Sequence, residues 1–178
     1  MNAEYELVVK PLTRWFKIQR ANWIVKIPTY HTAATGWDLE ARRKNQDLLI
    51  EAKYIKGAFI NSFAGLVCSV LSNRPQKFMK TKYRGWSHGV CWAIGSAYKS
   101  RSVLQILLDY LARNLKFWKF YGKFFKMKYV FFVDRNKITK VPWSKLLVAA
   151  DKYKKLVQKG GGDLSARRML AQELMKLG

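Results

Sequence analysis

Three charged side chains, close together on two predicted strands, have the chemistry needed to assist phosphate-ester cleavage. A hairpin is predicted over residues 36–56, with Asp38 in its first strand and Glu51 and Lys53 in its second. Because side chains alternate along a strand, Glu51 and Lys53 point to one face and Ala52 to the other. Two carboxylates beside an ammonium group can hold a divalent cation next to a positive charge, which is the chemistry of phosphodiester hydrolysis.

The surroundings of these residues favour a site over a surface hairpin. Glu51 and Lys53 form the only acid-x-lysine triplet of the chain and lie in the apolar stretch QDLLIEAKY, which is typical of a central strand. No acid follows between Ala52 and Leu108. The alternative is a solvated hairpin whose exposed Glu51 and Lys53 pair with little energetic effect.

The charge of the chain indicates a polyanionic partner. Lysine and arginine number 34 against 11 acids, a formal charge of +23, so nucleic acid is expected first and an anionic membrane second. The candidate nucleic-acid contacts lie in the hairpin turn, in a loop predicted over 74–88 and in a helix predicted over 115–128: Arg42, Arg43, Lys44, Arg74, Lys77, Lys80, Lys82, Arg84, Lys116 and Lys119. Each group has a simpler interpretation as solvated surface charge.

The segment 115–128 permits three interpretations. Its lysines recur every three or four residues, with phenylalanines and a tyrosine between them. A basic amphipathic helix can lie on a membrane. It can instead press its aromatic side chains onto the core and offer lysines to DNA, or simply leave the lysines in solvent.

The periodicity of the chain predicts alternating helices and strands. We expect a helix over 3–20, strands over 22–30 and in the hairpin 36–56, a helix over 57–73, a strand over 89–96, helices over 101–114 and 115–128, strands over 129–133 and 137–141, and helices over 144–158 and from 163 to the end. In the first helix Glu4 lies at the edge of the apolar face, whereas Glu6 points away.

This order of elements, with Asp38, twelve residues and then Glu51-Ala52-Lys53, resembles the PD-(D/E)xK nuclease superfamily over about residues 3–142. The resemblance implies a restriction-endonuclease-like fold: an α/β domain with a central mixed β-sheet flanked by helices on both faces. Residues 1–142 would then form the nuclease-like core, and 143–178 a C-terminal helical extension.

The resemblance also implies a metal-dependent DNA endonuclease. Asp38 and Glu51 would bind Mg²⁺ or Mn²⁺, with the Ala52 carbonyl as an extra ligand. Glu4 would complete the site directly or through water, Glu6 being the reserve. Lys53 would position or help deprotonate the attacking water, or stabilise the phosphorus centre. A polar residue on the next helix assists in many relatives, and Asn61 or Ser62 is the nearest match here.

We consider two other functions: a non-catalytic nucleic-acid-binding protein with a nuclease-like fold, and a membrane-surface protein. The hairpin unit favours the nuclease, which we expect to act on DNA without a membrane partner, with RNA still open and a homodimer as a further expectation. Cys68 and Cys91 lie in apolar settings and are expected to be buried free thiols, in keeping with a cytoplasmic protein.

Overall fold

A six-stranded mixed sheet, with its strands in chain order, forms the centre of the protein. The computed structural model describes residues 3–19, 22–27, 37–44, 46–72, 87–135, 137–160 and 164–176. The strands are β1 (Ile24–Lys26), β2 (Leu39–Arg43), β3 (Gln46–Ile55), β4 (Ser87–Ser96), β5 (Met127–Val133) and β6 (Ile138–Pro142). The predicted α/β class with a mixed sheet is therefore confirmed.

The strand directions follow from the lengths of the connections. β1, β2 and β3 pair antiparallel, β3 with β4 and β4 with β5 pair parallel, and β6 returns antiparallel to β5. Parallel neighbours need a long crossover, whereas antiparallel neighbours can be joined by a tight turn. The two crossovers of this sheet contain helices, which cover one of its faces.

Helices lie on both faces of the sheet. A π-helical segment (Tyr5–Val9) continues into α1 (Lys10–Ile18) and covers one face. The other face is covered by α2 (Phe59–Ser72), α3 (Ser100–Arg113), α4 (Leu115–Phe124), α5 (Trp143–Gln158) and α6 (Leu164–Met175). In the described part of the chain, no helix is long and apolar enough to cross a membrane.

The central strand β3 contributes to both cores. Leu48 and Ile50 pack towards the N-terminal helix, and Leu49 packs among the helices of the opposite face. The same alternation turns Glu51 and Lys53 towards α2. A strand covered on both sides explains why apolar residues are continuous in this part of the sequence.

Several predicted boundaries differ from the observed ones. The first strand, predicted over 22–30, is described only at Ile24–Lys26, and residues 28–30 lie outside the described part of the chain. The strand predicted from residue 89 begins at Ser87. The helix predicted over 115–128 ends at Phe124, because Lys126 has a φ of 53° and the chain then extends into β5.

The two cysteines have different surroundings. Cys91 in β4 is fully buried, as expected, whereas Cys68 is exposed. The prediction of a buried thiol at position 68 was therefore wrong. The sequence around Cys68 is apolar, but its position on α2 turns it away from the sheet.

The C-terminal helices share the core of the sheet. Trp143 and Leu146 of α5 and Leu170 and Leu174 of α6 belong to the same buried cluster as the helical face of β4 and β5. The division between a core at 1–142 and an extension at 143–178 stays a prediction.

Gly95 lets the N-terminal helix approach the sheet. A Cβ atom at this position in β4 would lie 2.6 Å from Val8 Cγ2 and 3.2 Å from Tyr54 Cδ2. Real Cβ atoms essentially never approach a neighbour as closely as the first distance. The missing side chain thus sets how closely the segment that carries Glu4 lies to β3.

We predict that Gly95→Ala destabilises the protein by about 1–3 kcal/mol, because the added methyl group displaces Val8 from a packed interface. Urea unfolding followed by circular dichroism measures this change. Gly57→Ala is the matched control, since nothing lies within 4 Å of a Cβ there. Equal stability of the two variants would contradict the tight packing at Gly95.

Candidate active site

Asp38 is fixed at the open end of β2 by two hydrogen bonds to β3. Its backbone N–H donates to the Ile50 carbonyl at 3.1 Å, and its carboxylate accepts from the Ala52 N–H at 2.8 Å. Asp38 therefore lies just before β2, which begins at Leu39, and not within a strand as predicted. These contacts place the Asp38 carboxylate beside Glu51.

The Ala52 carbonyl lies on the same edge of β3 as the Asp38 carboxylate. In a strand, the N–H and C=O of one residue point the same way, so the carbonyl follows the N–H that binds Asp38. The predicted role of Ala52 as an extra oxygen ligand is compatible with this direction.

Glu51 is held in a poorly solvated position. Its side chain faces α2, where the Ser69 hydroxyl donates a hydrogen bond to the carboxylate, and the residue is only 8% exposed. Burial, followed by the nearby charge of Asp38, raises the pKa of Glu51 from 4.5 to about 8. Without a bound cation, the Glu51 carboxyl group therefore favours its protonated form at neutral pH.

The carboxyl group of Asp38 is also partly removed from water. Burial raises the pKa of Asp38, and the charge of Glu4 adds to the effect. The Ala52 N–H and the charge of Lys53 act in the opposite direction. The charge of Asp38 thus opposes the ionisation of Glu51, the charge of Glu4 opposes that of Asp38, and added positive charge would favour the ionised form of both groups.

Lys53 and Glu4 approach this pair from different elements. The stem of Lys53 passes Gly65 of α2, where a Cβ would lie 3.9 Å from Lys53 Cε. Glu4 Oε2 lies 3.8 Å from Lys53 Nζ and accepts a hydrogen bond from the Tyr54 N–H at 3.3 Å. Glu6 instead pairs with Lys10 at 2.9 Å on the same helix. The structure thus places Glu4, and not Glu6, beside the site.

The donor set suits a hard cation that keeps most of its own water. Mg²⁺ in proteins is commonly held by one or two carboxylates together with waters and substrate phosphates. Asp38 and Glu51 provide two such groups. No group of three or more His, Cys, Asp or Glu side chains is arranged to hold a metal ion within the described ranges. Glu4, as placed, binds Tyr54 and Lys53 instead.

Ser69 is a site residue that the sequence interpretation missed. The resemblance indicates Asn61 or Ser62 as the nearest match to the polar residue that assists in relatives, yet Asn61 is exposed to solvent. Ser69 lies one turn after Gly65 and two turns after Asn61, so all three share one stripe of α2. Following that stripe from Gly65 would have identified Ser69.

The basic residues of the hairpin have partners of different kinds. Arg42 Nε bonds to the buried Asp47 carboxylate at 2.6 Å, so much of its charge is already compensated. Arg43 lies over the Trp23 ring, with 4.9 Å between Cζ and the ring centroid. Lys44 is exposed in the turn. Contact with nucleic acid stays a prediction for all three.

The residues of the predicted basic loop lie outside the described part of the chain. This holds for Arg74, Lys77, Lys80, Lys82 and Arg84. Their proposed contact with nucleic acid rests on the sequence alone.

Helix α4 presents both cations and aromatic rings to solvent. Lys116, Lys119 and Lys123 are exposed. Phe117, Phe120 and Phe124 are 38%, 64% and 50% exposed, which are unusually high values for phenylalanine. The interpretation that the aromatic side chains of this helix pack into the core is therefore wrong for these three.

The core contacts of α4 come from a narrower stripe. Leu115, Trp118 and Tyr121 are buried against β4, α3 and α5. A helix that packs on one side buries only part of its circumference. The remaining rings and lysines form a surface with the two features that single-stranded nucleic acid requires, stacking faces and positive charge.

We predict that the stability of the metal-free protein falls as pH rises, because of Glu51. Its pKa is raised from 4.5 to about 8 on folding, so between these values the folded state binds more protons than the unfolded state. The free energy of unfolding must then decrease with pH in this window. Glu51→Gln should lack this component and be more stable than the native protein at pH 9, by at most about 5 kcal/mol.

Urea unfolding in EDTA at pH 6 and pH 9 measures this effect. Glu173→Gln is the control, because Glu173 is an exposed glutamate of α6. Native protein and this control should lose stability equally between the two pH values. An equal loss in Glu51→Gln would contradict the buried, protonated state of Glu51.

Comparisons with protein-family models, with curated proteins and with solved structures found no match. A function for this chain is therefore inferred from the geometry of the site and from the charges around it.

Proposed function

We propose that the protein is a metal-dependent DNA endonuclease with a restriction-endonuclease-like core. The observation that carries the proposal is the half-buried Asp38 beside the buried Glu51, with Lys53 on the same face of β3 as Glu51. The order helix, three antiparallel strands, helix and parallel strand supports it. A cytoplasmic location, where Cys68 and Cys91 would stay reduced, belongs to the proposal.

Asp38 and Glu51 would hold Mg²⁺ or Mn²⁺. Such an ion, when bound, stabilises charge on the scissile phosphate and favours ionisation of water. Asp38 is oriented by the Ala52 N–H, and Glu51 by the Ser69 hydroxyl. These two contacts keep the carboxylate oxygens in place before the ion arrives, which reduces the cost of ordering them.

Lys53 would act on the attacking water or on the phosphorus centre. The Lys53 side chain is 40% exposed, so its ammonium group would be able to reach a bound phosphate. Glu4 would hold the ammonium group in position between turnovers, through the contact of 3.8 Å. We assign Glu4 to positioning Lys53, and to the metal only through water.

DNA is the expected substrate, with RNA still open. The formal charge of +23 far exceeds what solubility requires. The exposed lysines of α4 lie on the same side of the sheet as α2, which borders Glu51. In the proposed complex, backbone phosphates contact α4 while one phosphate occupies the site. Cutting both strands would favour a homodimer.

A non-catalytic nucleic-acid-binding protein is the second candidate. It is favoured by one specific observation: across the described residues no three acidic, His or Cys side chains are arranged around a common metal position. In that case Asp38 and Glu51 would be structural, with the charge of Glu51 suppressed by burial. Binding would then survive the loss of either carboxylate.

We predict that the protein cleaves supercoiled plasmid or branched DNA in Mg²⁺ or Mn²⁺ and not in EDTA. Glu51→Gln and Lys53→Met should each lower the rate by at least about a hundredfold, because both remove a group that stabilises the transition state. Lys56→Met is the matched control, since Lys56 is exposed just after β3. Cleavage is measured by gel electrophoresis under single-turnover conditions.

Each result of this experiment separates the candidates. Cleavage that persists in EDTA or in Glu51→Gln would contradict the proposed site. Tight binding without cleavage in any metal would support the binding protein. Preferential sedimentation with anionic vesicles in competition with DNA would support a membrane-surface role for α4.

We predict that Lys116 and Lys119 each neutralise about one DNA phosphate. Replacing either by Gln should reduce the slope of log K against log salt by about 1, because one fewer counterion is released on binding. Fluorescence anisotropy of labelled DNA at several salt concentrations, in EDTA, measures the slope. Lys17→Gln, on the opposite face of the sheet, is the control and should change the slope less.

A further inference from the structure

A recess lined by aromatic rings lies on the sheet face opposite to α4. Trp15 of α1, Trp23 just before β1 and Tyr129 of β5 are half-buried and form its walls. The recess has a volume of about 120 Å³. We refer to it as the aromatic recess.

The walls of the aromatic recess are held by buried rings beneath them. Trp23 packs edge-on against Phe16 with centroids 5.1 Å apart, and Trp15 packs edge-on against Phe131 at 5.8 Å. Tyr129 also contacts Phe131, at 6.0 Å. Because Phe16 and Phe131 are fully buried, the recess is formed before any ligand binds.

Two cations lie at the rim, and each is positioned by a ring. Arg43 Cζ lies 4.9 Å from the Trp23 centroid, and Lys140 Nζ lies 5.0 Å from the Tyr129 centroid. Within the described ranges, neither forms an ion pair with a carboxylate. A cation–π contact orders a cation without neutralising it, so both side chains keep donors for an anion.

We propose that the aromatic recess binds a pyrimidine nucleotide. The planar base would stack on the indole rings, and its phosphate would bind Arg43 and Lys140 at the rim. Flat rings together with cations are the combination that recognises nucleotides of a single strand. Gln19 and Gln46 also line the recess, and their amides offer both donors and acceptors to the edge of a base.

The size of the recess favours one ring over two. A cavity of about 150 Å³ accommodates benzene, so a recess of about 120 Å³ suits a single six-membered ring that remains partly open to solvent. A purine would have to project further into water and would lose part of the stacking contact. The preference for a pyrimidine therefore follows from volume.

This binding site does not depend on the proposed cleavage. Gln46, which lines the recess, precedes Lys53 by seven residues of β3, a distance of about 23 Å along the strand. The recess is therefore separate from the Asp38–Glu51 site. Its ligand is either a free nucleotide or one nucleotide of a longer strand that also reaches other surfaces.

Isothermal titration calorimetry in EDTA tests the proposal without any metal or cleavage. The probes are dTMP, dAMP, inorganic phosphate and a short oligothymidylate. We expect dTMP to bind more tightly than dAMP or phosphate. The double variant Arg43→Gln with Lys140→Gln should weaken dTMP binding by roughly tenfold or more, and Trp23→Leu by about tenfold.

Lys152→Gln is the matched control, because it removes an exposed lysine from α5 on the other face of the sheet. It should leave dTMP binding unchanged, and circular dichroism checks that every variant is folded. If the same variants also weaken the binding of oligothymidylate, the nucleotide belongs to a strand. Weakening of dTMP alone identifies a free nucleotide.

Three results would overturn the proposal. Phosphate that binds as tightly as dTMP would reduce the recess to an anion site. Equal affinity for dAMP would remove the single-ring preference. Unchanged dTMP binding in the folded double variant, where only the rim cations are replaced, would show that the nucleotide binds elsewhere.

Discussion

The partial burial of two neighbouring carboxyl groups is the constraint on which the site depends. Asp38 and Glu51 lie where β2 begins beside β3, and their burial reduces the contact of both carboxyl groups with water. Removing ionised groups from water is costly unless a counter-charge compensates them. The structure provides partial compensation through Lys53, Ser69 and the Ala52 N–H, and leaves Glu51 with a pKa of about 8.

The N-terminal helix completes this arrangement from the opposite side of the sheet. It can do so because Gly95 has no side chain and Val8 packs directly onto β4. Its close approach places Glu4 against Tyr54 and Lys53. The position of one carboxylate thus depends on packing at a residue that carries no functional group.

Positive charge is distributed over both faces of the protein, but its surroundings differ. On α4 the lysines alternate with exposed phenylalanines, whereas at the aromatic recess Arg43 and Lys140 are ordered by rings. The first arrangement suits a flexible strand and the second suits a single nucleotide. Both surfaces combine aromatic rings with positive charge.

The sequence by itself determined the class of the fold, the strand that carries Glu51 and Lys53, and their shared face, because strand alternation and apolar runs are local properties. It did not determine which polar residue of α2 reaches Glu51, since Ser69 was recognisable only once Gly65 was known to face Lys53. The sequence also did not reveal that Phe117 and Phe120 are exposed, or that distant residues form the aromatic recess. These features join residues far apart in the chain, and only tertiary packing decides which side of each helix is left to solvent.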